Sequence, residues 1–71
     1  MKIERLIKMA NDIGDFFNAE SNKEVAAEGI KKHILRSWDP RMRREIIAYC
    51  QQDGSALSEL ARAAVSRLEQ V

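Results

Sequence analysis

Apolar residues recur along this chain at three- and four-residue steps, and nowhere do they alternate with a period of two. That spacing gathers them on one side of a 3.6-residue helix and argues against strands. Ile3, Leu6, Ile7, Ala10, Ile13 and Phe17 mark a first helix over about 2–18. A second row, Met9, Ile13 and Phe16, lies beside the first. The apolar arc is therefore wider than a surface helix packed on one neighbour requires. Phe16 and Phe17 point about 100° apart, so one packing face does not cover both.

A second helix is predicted over about 22–37, with Ala26, Gly29, Ile30, His33, Ile34 and Ser37 facing inward. Ser21-Asn22-Lys23-Glu24 matches a capping box, with Ser21 as cap and Glu24 reaching back. Gly14 and Gly29 fall inside helices, where each costs about 1 kcal/mol relative to Ala. Close approach of two backbones is the expected reason, which places both near the crossing of the first two helices. Asp39-Pro40 opens a third helix over about 40–52, with Asp39 as N-cap and Pro40 as first helical residue. Asp53-Gly54 ends it, Gly54 being the expected left-handed cap. Ser55 or Ser58 then caps a fourth helix over about 56–69, whose stripe is Leu57, Leu60, Ala61, Ala64, Val65 and Leu68. The expected fold is all-α, a single domain over 1–71 forming a small bundle of three to four antiparallel helices. Linkers of a few residues suit antiparallel neighbours.

Size sharpens the functional question. A 71-residue chain buries only roughly 60% of the surface it exposes when unfolded. Domains this small usually draw extra stability from a staple, a metal or a partner. Cys50 is the one cysteine, which excludes an internal disulfide, and Cys50 with His33 is too small a donor set for zinc or an iron–sulfur cluster. Self-association or docking onto another protein is left. The N-terminal MKIERLIKMAND does not read as a signal peptide, and no apolar run approaches the ~20 residues of a membrane span. A reduced, cytoplasmic setting is the expectation.

The net charge is only +1, but an acidic stretch over 12–28 precedes a basic one over 31–44. Lys31, Lys32, Arg36, Arg41, Arg43 and Arg44 could follow a phosphate backbone. Near-neutral overall charge and the adjoining acids argue against nucleic acid, as does the apolar middle of the third helix. Catalysis has less support. His33 lies on the apolar stripe and reads as a packed core residue; a His33–Cys50 pair has no third group to orient it. Asp12 and Asp15 alone make a weak cation site, and no Gly-rich phosphate loop is present. No enzyme activity is expected of this chain by itself.

Docking has the best case. Trp and Arg are enriched in binding hot spots, and Trp38 stands among Arg36, Arg41, Arg43 and Arg44. The same Trp38 could plug the core between the second and third helices, and both readings can hold together. Three arginines at a helix start oppose the helix dipole by about 0.3–1 kcal/mol per charge. An acidic groove on a partner would offset that. Phe16 supplies further apolar area, and it could equally support a homodimer of the isolated chain.

MANDIGDFF (9–17), the single His33 shortly before Trp38, and WDPRMRREI (38–46) together resemble the small delta subunit of cytoplasmic NAD-dependent, molybdenum-containing formate dehydrogenases. The resemblance covers roughly residues 4–50. Ser37, where an aromatic often precedes the Trp, and Ser21, where proline is common, depart from the pattern. The resemblance implies a non-catalytic accessory subunit that holds no cofactor. In the parent complex, molybdenum–pterin and iron–sulfur clusters belong to the large subunit, and FMN and the NAD site to others. The implied partner is that large subunit. Motif positions that carry over as contact candidates are Gly14, Asp15, Phe16, Phe17, Trp38, Asp39, Pro40, Arg41 and Arg43, with Gly14 and Pro40 more structural than contacting; Arg44 joins them on charge alone.

Overall fold

Four helices form along residues 2–69, the part of the chain that this computed structural model describes. They are α1 (Ile3–Phe17), α2 (Lys23–Ser37), α3 (Pro40–Gln52) and α4 (Glu59–Leu68). The fold is all-α, as the periodicity predicts.

The caps explain where each helix begins. Asp39 Oδ1 accepts from Met42 N at 2.9 Å, and Pro40 fills the first position of α3, where a missing N–H leaves no bond unmade. Ser58, not Ser55, caps α4 by accepting from Ala61 N at 3.2 Å. That choice starts α4 at Glu59, later than the apolar stripe alone suggests, because Leu57 N bonds back to Gly54 O at 3.1 Å and closes a turn instead. The predicted capping box is out of register by one residue. Asn22 is the cap of α2, its Oδ1 accepting from Glu24 N at 3.0 Å and Val25 N at 3.3 Å. Glu24 does not reach back; Glu20 Oε1 accepts from Asn22 N instead, at 3.1 Å. Ser and Asn both cap well, so adjacent candidates are not separable by residue type alone.

Leu6, Ile30, Ile34, Ile46 and Val65 are the largest fully buried side chains, one or more from every helix. Trp38 and Leu57 join them from the connections. No polar or charged residue is buried among those described. Ala26, Ala27, Ala61 and Ala64 are also buried, and such small residues let α2 and α4 lie close. These two helices run side by side in the same direction. Lys23 and Glu24 share a groove with Glu59 and Leu60 at one end, and Leu35 and Leu68 line another groove together at the other. Arg67 spans the pair, 3.4 Å from Glu28 and 3.8 Å from Glu24.

α1 and α2 are antiparallel: Phe17 lies against Gly29, and Asp12 and Ile13 share a cleft with His33 and Arg36. Gly29 therefore sits at the expected helix crossing. Gly14 does not. It faces α4, where a Cβ would stand 3.4 Å from Ser58 Oγ and 3.6 Å from Ala61 Cβ. Gly54 has φ +71°, the left-handed conformation expected of a helix-ending glycine.

The connection from α3 to α4 is fastened from three helices. Asn11 Nδ2 donates to Ala56 O at 2.9 Å, and Asn11 Oδ1 accepts from Ser58 N at 2.8 Å. Tyr49 Oη accepts from Ala56 N at 2.9 Å, and Arg62 Nε donates to Gly54 O at 3.2 Å.

Candidate docking surface

The end of α1 presents two adjacent phenylalanines in different settings. Phe17 turns inward and lays its ring over Gly29, in space that a side chain there would fill: a Cβ on Gly29 would stand 2.6 Å from Phe17 Cε1. Phe16 turns outward and is 79% exposed. The rings meet edge to face with centroids 5.3 Å apart, a favourable arrangement that links the outer ring to the seated one. Phe16, Phe17 and Ile13 of α1 line a cleft whose other wall is His33 and Arg36 of α2. His33 is half-buried and lines this cleft, so it is not the core residue expected from its place on the stripe. Asp15 is exposed beside Phe16, and Asp12 is held by Lys8 at 2.9 Å.

The Trp38 corner is organised differently. Trp38 is buried at 4% exposure, which selects the core reading. Arg43 Nη1 donates to Trp38 O at 2.7 Å and to Leu35 O at 3.5 Å. It thus satisfies carbonyls that the end of α2 leaves without helical partners. Here is the reason for an arginine in the first turn of α3: it caps the preceding helix. Arg41 pairs along its own helix with Glu45 at 3.7 Å and remains largely exposed. Arg44 is exposed and flanks a shallow groove with Leu35, Pro40 and Ile47.

The sequence candidates thus separate. Trp38, Asp39 and Arg43 have work inside the fold, and Phe17 is half-buried as a seat for its neighbour. Asp15, Phe16, Arg41 and Arg44 face outward. Val25, 55% exposed, was not among the candidates. It sits one turn before Gly29 on α2, a spacing that could have drawn notice. Among the described residues, no group of three or more His, Cys, Asp or Glu comes together as a metal site, and no helix is long and apolar enough to cross a membrane.

Residues 5–65 match the family described as "NADH-dependant formate dehydrogenase delta subunit FdsD". The chain belongs to this family. No curated protein and no solved structure matches it. The matched span takes in all of the Phe16 cleft and the Trp38 corner and continues well into α4. It reaches beyond the two motifs that carry the sequence resemblance. Membership in the delta-subunit family relates the chain to a formate dehydrogenase complex.

Proposed function

We propose that this chain is a non-catalytic accessory subunit of a cytoplasmic NAD-dependent formate dehydrogenase. It docks onto the large, molybdenum-bearing subunit and supports its assembly or stability. The molybdenum–pterin group, the iron–sulfur clusters, FMN and the NAD site belong to the other subunits. Phe16 is the observation that carries this reading, in a chain of the delta-subunit family. Burying such a side chain against a partner contributes about 1.5–3 kcal/mol, and its seating on Phe17 limits the ordering cost of doing so. Asp15, Arg41 and Arg44 are the exposed polar residues proposed to flank the contact, while Trp38, Asp39 and Arg43 serve it by holding the α2–α3 corner.

The test is to purify the enzyme from a host lacking this chain. A fall in molybdenum content or in heat resistance is expected, restored by the wild-type chain and not by Phe16→Ser. Full activity, cofactor content and heat resistance without the chain would overturn the proposal.

A further inference from the structure

The Phe16 cleft has a second component that the family match does not assign. Gly29, Lys32, His33 and Arg36 fall within one arc of α2, because steps of three and four return to the same helix face. His33 and Arg36 form the wall opposite Phe16, and Gly29 lies under Phe17. Lys32 and Arg36 are exposed, and neither makes an ion pair among the described residues. Their neighbour Lys31 differs, being paired with Glu28 at 3.7 Å. On the opposite wall the acid of the cleft, Asp12, is engaged by Lys8 at 2.9 Å. The exposed aromatic is thus bordered on the α2 side by Arg36, with Lys32 one turn earlier on the same helix face.

We infer that this face receives an acidic segment of the partner protein: an apolar socket for Phe16 with carboxylates placed to meet Lys32 and Arg36. The inference rests on the docking reading above and adds the chemistry of the partner. Charge complementarity is what selects the occupant. A second copy of the chain would bring another Lys32 and Arg36 to the same face, and a wholly apolar groove would leave both cations without counter-charges. Arg36 offers a planar fork suited to a carboxylate, and Lys32 a point charge suited to the rim. Pairs of this kind set the association rate and the orientation of docking more than they set raw affinity. Gly29 supports the surface from below, since any side chain there displaces the Phe17 ring on which Phe16 rests.

The experiment measures binding of the purified full chain to the formate dehydrogenase complex prepared without it, by calorimetry and stopped flow. Lys32→Glu/Arg36→Glu should weaken binding by about thirtyfold or more, the loss expected of a hot spot. Most of that loss should appear in the association rate. Lys32→Gln/Arg36→Gln should clearly reduce the salt sensitivity expected of wild-type binding between about 50 and 500 mM. Lys2→Glu/Arg5→Glu makes the same charge change at the far end of α1 and should bind as wild type does. Circular dichroism melts of each variant confirm the fold. If the charge-reversed variant binds within about twofold of wild type while Phe16→Ser does not bind, the acidic-segment inference falls and the docking reading survives. If the wild type does not bind the complex, both fall. A dimer in sedimentation that the charge-reversed variant disperses would assign the face to a second copy and overturn the inference. So would a DNA duplex that displaces the enzyme from the wild type.

Discussion

Trp38 and Phe16 occupy two motifs that look alike along the chain, each an aromatic beside charge at a helix end. Trp38 finishes 4% exposed and Phe16 79%. The difference lies in the backbone that carries them. Trp38 sits in a two-residue connection, in extended conformation at φ −97° and ψ 140°. There the chain reverses between α2 and α3, and a side chain can be aimed at the core by the turn itself. Phe16 lies inside a helix, where direction is set by the step of about 100° per residue. Phe17 takes the inward direction and Phe16 is left with the outward one. An aromatic next to charge is thus weak information by itself; whether a turn or a helix carries it decides which side it serves.

The largest effect is expected at the aromatics themselves. Trp38→Ala should lose about 3–5 kcal/mol of stability, as large-to-small changes in a packed core do. At roughly 4–8 °C per kcal/mol in a domain this size, the melting temperature should fall by about 12–40 °C. Phe16→Ala should stay within about 0.5 kcal/mol of wild type, since surface changes are usually small. Equal losses at the two sites would remove the contrast.

The arginines sharpen the same contrast at the next scale. Arg43→Ala should lower stability by about 1.5–3 kcal/mol, because it deletes charge-assisted, partly buried bonds to the carbonyls of Leu35 and Trp38. Arg44→Ala, one residue on, should leave the melt unmoved. Denaturant titration of the pair reads both.

The helical glycines come next. Gly29→Ala drives a Cβ to 2.6 Å from the Phe17 ring, and overpacking of that kind costs about 1–3 kcal/mol, partly offset by about 1 kcal/mol of helix propensity. Gly14→Ala meets only ordinary contacts at 3.4 and 3.6 Å and should stabilise by up to about 1 kcal/mol. Thermal melts of opposite sign are the expected result. The smallest effect separates the adjoining cap candidates: Asn22→Ala should cost about 1 kcal/mol and Ser21→Ala almost nothing.

What was legible from the residues follows the range of the physics involved. The 3.6-residue period, Asp39-Pro40 and Gly54 act within one or two turns, and all three gave the right elements. Helix pairing is not encoded so locally. Gly14 faces α4 because of how the helices stack, and no spacing within α1 announces that. Arg43 was visible as a cation in the wrong half of a helix, but its partners are the carbonyls of Leu35 and Trp38 where the preceding helix ends, which carry no sequence signal. Phe16 was legible as surplus on the apolar arc. Its alignment with His33 and Arg36 was not, because that depends on the antiparallel register of α1 against α2.

The polar fastenings of residues 53–58 carry one more consequence. Connections between helices are ordinarily where a chain accepts extra residues, because their backbone is bonded to water. Here Asn11, Tyr49 and Arg62 claim that backbone from three directions. The segment behaves as a keystone, so a peptide tag spliced into it would unhook α1 from α4 rather than hang harmlessly outside.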